Sequence, residues 1–241
     1  MKITTSISAR MFVFSLILVA FPSLVHAEAV SGQVKNVIGD ATVILPDGKH
    51  EQVTKDTAIP AGSKIETGPD TKLLVQWMPG ALSVITSSAV VSVKSLKYSE
   101  ASGAPQRTVA LKLTQGSVFS HLAHNSGTSD FQIKTPTAVA AARGTDWEVT
   151  VNGKTTTVSV ISSEVDVTLD SNLVIKVKAG QIYSVGGLTE PLSQDEIDAI
   201  ILILQQAGIS VGQTPVDQVH QHGTHYDPLD ETPPTKSQFS N

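Results

Sequence analysis

From residue 30 to about 186, short runs rich in Val, Ile and Thr alternate with turn residues. The early runs are 34–37, 41–45, 73–77, 82–85 and 90–93. Later ones are 109–113, 118–119, 131–133, 147–151, 156–161, 165–169, 174–177 and 182–185. Asp47-Gly48, Gly68-Pro69, Pro79-Gly80 and Asn152-Gly153 separate several of them, and Asn-Gly between alternating runs is a strong hairpin signal. No stretch of this region has a helical period. The pattern predicts an all-β domain of roughly twelve to sixteen short strands. Residues 95–107 and 121–130 are polar and read as loops. Gly32, Gly62, Gly116 and Gly180 each stand just before a run, where a corner needs a left-handed residue. That recurrence favours a β-solenoid-like or wound β domain over a plain two-sheet sandwich.

The pattern changes at 193. Ser193-Gln194-Asp195-Glu196 is a capping box. Ile197, Ile200, Ile201 and Leu204 then recur at helical spacing, which predicts one C-terminal helix of about three turns ending near Gly208. Leu202 and Ile203 widen its apolar face, so it needs cover on most sides. It reads first as a cap over an open end of the β domain and second as a docking or dimerising helix. Beyond 210 the chain is Pro, Gln, His, Thr and Asp with few apolar residues, too few to offset the entropy of ordering.

At the other end, Lys2 and Arg10 precede an apolar stretch that Pro22 interrupts, and Val25-His26-Ala27 fits a cleavage site. The stretch is short of the ~20 residues a spanning helix needs. The expected organisation is therefore a signal peptide at 1–27, a β domain at 28–190, the helix at 191–209 and a disordered polar tail at 210–241. The expected location is the periplasm or the exterior, with no membrane span in the mature chain. Loss of Lys2 and Arg10 moves the formal net charge from −5 to −7. No basic stripe is present, which argues against nucleic acid as a partner. With no cysteine there is no disulfide framework and no lipoprotein anchor.

One stretch stands out from the strand pattern. Thr135-Pro136-Thr137 leads into Ala138-Val139-Ala140-Ala141-Ala142, followed by Arg143-Gly144-Thr145-Asp146-Trp147. Proline disfavours helix in the residue before it, so the entry is extended. The small side chains suit a place where two backbone layers approach closely. Arg143 then reads as an internal brace whose donors hold carbonyls or a carboxylate, with Gly144 allowing a turn and Trp147 covering it. The alternative places Arg143 and Thr145 towards a ligand or partner.

This stretch resembles the central signature of FecR-type periplasmic domains, a TP-x-A-x-A followed by R-G-T, an acid and an aromatic residue. Ile65-Glu66-Thr67-Gly68, Leu113-Thr114-Gln115-Gly116-Ser117-Val118 and Val177-Lys178-Ala179-Gly180-Gln181 resemble the family's other blocks in the same order, over roughly 30 to 186. The better-known members carry a cytoplasmic anti-sigma segment and one membrane helix ahead of this domain, and relay a signal from an outer-membrane receptor to a sigma factor. Here the predicted signal peptide stands where both would be. The resemblance therefore implies a non-catalytic sensing, binding or scaffolding module with a protein partner in the cell envelope, and no cofactor. It points to Thr135, Pro136, Arg143, Gly144, Thr145 and Trp147 as the structural or partner-binding motif. A component that works with a separate membrane anti-sigma regulator is the alternative.

Other chemistry is sparse. His220, His222 and His225 are the candidate metal ligands, in a segment that offers them no scaffold, and no resident metal is expected. Asp146 and Glu148 alternate along one strand, as do Glu164 and Asp166. Paired carboxylates can hydrolyse glycosides when they flank a cleft, which makes a hydrolase the second alternative. No phosphate-cradling loop, HExxH, CxxC or nucleophile elbow occurs.

Overall fold

A computed structural model describes residues 30–100, 104–123 and 127–206. Within them the chain is all-β with one C-terminal helix: seventeen strands and α1 (Gln194–Gln206). The segment 1–27, the tail at 210–241 and the three tail histidines lie outside the described residues.

Two ladders grow side by side as the chain runs on. β1 (Ser31–Ile38) starts the first ladder, and the hairpin of β2 (Ala41–Ile44) and β3 (His50–Gln52) starts the second. β4 (Ala58–Pro60) returns to β1, and β5 (Lys64–Thr67) goes back to β2. The hairpin of β6 (Lys72–Met78) and β7 (Ala81–Ile85) extends the first ladder, while β8 (Val90–Ser99) extends the second. β9 (Gln106–Leu122) belongs to both. Its first half pairs with β8 and its second with β7. β10 (Thr128–Lys134) and β11 (Ala138–Ala142) continue the second ladder, then β12 (Asp146–Asn152) and β13 (Thr155–Val160) the first. β14 (Glu164–Leu169) with β15 (Val174–Lys178) completes the second, and β16 (Gln181–Ser184) with β17 (Thr189–Pro191) the first. β4 lies outside β1 and β3 outside β2, and from β5 and β6 onwards spatial order keeps step with chain order in both ladders. Pairing is antiparallel throughout except for β9 with β10, which is parallel.

Period-two alternation explains which side chains go inside. In β14 the buried Val165 and Val167 alternate with partly exposed neighbours, and β11 does the same with Ala138, Ala140 and Ala142. The inward faces share one apolar core containing Val43, Val75, Leu111, Phe131, Trp147 and Val165. Phe131 of the second ladder meets Trp147 of the first edge-to-face, with ring centroids 6.0 Å apart and an interplanar angle of 86°.

Gly116 marks the point where β9 leaves one ladder for the other. Its φ is +83°, and a Cβ there would lie 2.5 Å from the Ala89 Cα. Gly62 and Gly180 also adopt positive φ, as the corner reading expects. Gly32 does not: a Cβ there would lie 2.6 Å from Trp77 Cε3, so the glycine makes room for the indole rather than for a corner.

Two expected loops are shorter than the polar pattern suggested. β8 runs on to Ser99 and β9 starts at Gln106, so the 95–107 segment is mostly a pair of paired strands. Likewise β9 reaches Leu122 and β10 begins at Thr128. In both cases the polar residues occupy a solvent-facing row of a sheet, which the composition alone cannot separate from a loop.

The helix begins as its capping box predicts. The Glu196 carboxylate accepts the Ser193 N–H at 2.8 Å, and the Glu196 N–H donates to Ser193 Oγ at 3.3 Å. It lies across the outer face of the first ladder rather than over an open end of the domain. Ile197, Ile200 and Leu204 bury against Leu74 of β6, Val84 of β7, Phe119 of β9 and Ile161. Lys72 Nζ donates to Gln206 Oε1 at the helix end. The first ladder is thus buried on both faces around β6, β7 and β9, whereas the outer face of the second ladder has no helix on it among the described residues.

Candidate binding site

The Thr-Pro entry is braced by Thr135 rather than by Arg143. Thr135 is buried and acts as a hub. Its Oγ1 donates to the Ala138 carbonyl at 3.0 Å, accepts the Ala138 N–H at 3.0 Å and accepts the Thr156 hydroxyl of β13 at 2.9 Å. Pro136 is exposed beside it. This hub ties the start of β11 to the other ladder, so the alanines enter at a fixed height. Ala138, Ala140 and Ala142 are 3%, 1% and 2% exposed, which fits small side chains at a close approach of layers.

The Arg-Gly-Thr end divides its roles. Gly144 turns the chain with φ +78°. Thr145 is buried, and its hydroxyl donates to the Glu164 carbonyl at 3.3 Å. Trp147 is wholly buried against Phe131, and its indole N–H has no acceptor among the described residues. Arg143 does not brace anything. It is exposed and makes no hydrogen bond or ion pair within the described structure. The turn at Gly144 points it away from the core that its neighbours enter.

A different arginine does the bracing. Arg107 is 5% exposed. Its Nε donates to the Pro79 carbonyl at 2.6 Å, and its Nη1 lies 3.4 Å from Ser129 Oγ. It therefore locks the β6–β7 turn onto β9 and β10. A signal for it was present: Arg107 is in phase with Val109, Leu111 and Leu113, all inward-facing residues of β9.

Arg143 opens onto a polar groove of about 650 Å³ on the outer face of the second ladder. β10 contributes Asp130 and Gln132, β11 contributes Ala141, β14 contributes Glu164 and Asp166, and β15 contributes Lys176. The register places Gln132, Ala141, Asp166 and Lys176 in one cross-strand row. Ala141 is the small residue of that row, so it forms the low floor between its taller neighbours. Lys176 Nζ donates to Glu164 Oε1 at 2.6 Å and to Asp166 Oδ1 at 3.0 Å. The groove therefore holds one guanidinium free of protein partners and three carboxylates, two of them shared by a lysine.

The two carboxylate pairs separate physically. Glu164 and Asp166 do share a face, but their common Lys176 ties both into an exposed ion pair. Asp146 and Glu148 share the opposite, helix-covered face of the first ladder. Asp146 Oδ1 meets His121 Nδ1 at 2.5 Å, and its Oδ2 accepts the Ser162 hydroxyl at 3.1 Å. The Asp146 hydrogen bond raises the His121 pKa, with burial opposing it. Glu148 has no such partner, and burial pushes its carboxyl up to about 7.

Residues 63–166 match the sequence profile of the family described as FecR protein. The match takes in the Ile65 block, the Leu113 block and the whole 135–147 motif, and stops short of the closing block at 177–181. Two solved structures of a candidate anti-sigma factor from Parabacteroides distasonis are similar in fold. The first has 17% identity and a TM-score of 0.45, and covers 56% of this chain and 63% of that one, under two thirds of its length. The second has 18% identity and a TM-score of 0.44, and covers 66% of this chain and 71% of that one. No curated protein matches the sequence.

Proposed function

The chain carries a FecR domain at residues 63–166, and from that premise we propose that it is an exported, non-catalytic binding module that docks a protein partner in the groove beside Arg143. The observation that carries this reading is the division of labour in the motif. Thr135, Thr145 and Trp147 are buried, while Arg143, at the centre of the motif, is exposed and unpaired within the described structure. A guanidinium has five donors in a rigid fork suited to a carboxylate. It stands at the end of a strand paired on both sides, so the sheet sets the point from which the fork reaches out.

The groove also indicates the partner's chemistry. Arg143 suits a carboxylate or a run of main-chain carbonyls. Asp130, on the strand beside it, suits a lysine or arginine placed a few ångströms away. A protein segment bearing both signs satisfies the two together, and like-charged surfaces are rejected. With no helix over it among the described residues, the outer face of the second ladder leaves the groove open to such a segment. A partner in the cell envelope follows from the predicted signal peptide. A membrane-bound anti-sigma regulator is the form that partner takes if the module serves signalling.

A photo-crosslinking residue at Gln132, in the groove, tests the reading in the intact source cell, with the same residue at Asp198 on the exposed side of α1 as control. The expected result is one discrete adduct from Gln132 that disappears when Arg143→Ala is added, and none from Asp198. Equal adducts from both positions, or an adduct indifferent to Arg143, contradict it. Identification of the adduct as a membrane protein with a cytoplasmic domain selects the signalling form.

A further inference from the structure

The two ladders do not end level. β15, the last strand of the second ladder, lies against β13 and β16 of the first. β16 pairs with β13 on one side and with β17 on the other, so β17 overhangs β15. The register puts Thr189 beside Tyr183, a core residue, and Pro191 beside Gln181, which itself pairs with the buried Val160. Thr189 and Pro191 therefore continue the inward face of the first ladder, yet both are exposed. Beneath β17 and beside β15 is a step one strand wide.

The edge of β15 is open for pairing. Among the described residues it pairs only with β14. The Lys178 N–H turns away from β14 and donates to Gln181 Oε1 at 3.0 Å. Alternation along an antiparallel ladder turns the N–H and C=O of Val174 and Lys176 to that same side, where they meet no other main chain among the described residues. The apolar side chains also lose cover towards the hairpin. Val177 is buried and Ile175 half-buried, whereas Leu173 is 55% and Val174 48% exposed. The other ladder ends are blunted. β4 and β17 each end in a proline, and β3 has three residues.

We propose that the β15 edge takes one extended segment of another protein by strand addition, with apolar residues alternating with acidic ones. Val174 and Lys176 supply two donors and two acceptors for its main chain. Its apolar side chains enter the step, beside Ile175 and beneath Thr189 and Pro191. Its acids lie on the outer face, in register with Lys176 and Lys178. Lys176 is already shared by Glu164 and Asp166, but Lys178 makes no ion pair among the described residues. A basic segment would set like charges side by side there. A second copy meeting edge to edge would bring the two overhanging β17 strands into one layer, so a single strand fits better than a whole domain. The chain's own tail leaves α1 beside Lys72 of β6, with β7, β9, β12 and β13 between that point and β16. This seat is the edge of the ladder rather than the Arg143 groove on its face, and Lys176 belongs to both.

Titration of the full chain with two short synthetic peptides tests this, one alternating valine and glutamate and the other valine and lysine, each followed by amide NMR up to millimolar peptide. The valine–glutamate peptide is expected to bind, with its largest shifts at Val174, Lys176 and Thr189. Lys178→Glu is expected to weaken it about tenfold and to favour the valine–lysine peptide instead. Lys176→Pro removes only an outward N–H, which an edge strand tolerates, and is expected to abolish binding at an unchanged urea midpoint. Arg143→Ala is expected to leave binding as it is, which separates this seat from the groove. No binding, shifts centred away from β15, equal binding of both peptides, indifference to Lys178→Glu, or loss of binding in Arg143→Ala overturns the proposal. Should Lys176→Pro unfold, the exposed Lys178→Glu change decides.

Discussion

Arg107 and Arg143 have the same donors and opposite surroundings. Arg107 is buried against the Pro79 carbonyl, and Arg143 stands in an open groove. Removing a buried donor leaves an acceptor stranded, whereas removing an exposed side chain touches little. Urea unfolding is therefore expected to show a loss of about 1–3 kcal/mol for Arg107→Ala, and a change within about 0.5 kcal/mol for Arg143→Ala. The sequence made Arg143 conspicuous because the motif is dense, and the brace was assigned to it. Which arginine turns inward depends on strand phase. For Arg107 that phase was legible in the alternation with Val109 and Leu111, but the polar stretch 95–107 hid it. For Arg143 it was not legible, because Gly144 breaks the alternation at that point. At Thr135 the extended entry before proline was legible, but its place as a hydrogen-bond hub was not. Its replacement by alanine is expected to lower stability by about 1–3 kcal/mol in the same assay, through the unpaired Ala138 N–H and the lost link to Thr156.

At the scale of elements, β9 joins the two ladders, and Gly116 is its joint. A left-handed non-glycine residue costs about 1–2 kcal/mol on its own. Alanine at 116 also brings a methyl against the Ala89 backbone. Gly116→Ala is expected to lose more than that conformational cost in urea unfolding, while alanine at Gly153, where a Cβ meets nothing within 4 Å, loses only the conformational part. The strands themselves were readable, because each keeps its period of two for several residues. The helix was readable too, through its capping box and spacing. Its seat was not, since an amphipathic pattern says that a face is covered but not by what. The clue lay in the target: Leu73-Leu74-Val75 and Val118-Phe119 are consecutive apolar residues, as expected for strands buried on both faces.

For the molecule as a whole, the two ladders leave two unlike outer surfaces. One carries α1 over Leu74, Val84 and Phe119. The other is polar, open and centred on the Arg143 groove. Gly62, Gly116 and Gly180 mark corners as the sequence suggested, but the pairing of each hairpin with a distant one depends on register that no local pattern encodes. His121 and Glu148 affect stability in the same sense. Each has a raised pKa in the folded chain, so each contributes stability in acid that is lost as pH rises. Thermal unfolding is expected to give a lower Tm at pH 8.5 than at pH 5.5, and Glu148→Gln is expected to narrow the gap. The most direct test of the binding account is to measure partner capture and stability in the same Arg143→Ala chain. With the photo-crosslinker at Gln132, the account predicts an unchanged urea midpoint and loss of the single adduct. An Arg143→Ala chain that still forms the adduct in full, or that loses it only because it has unfolded, contradicts the account.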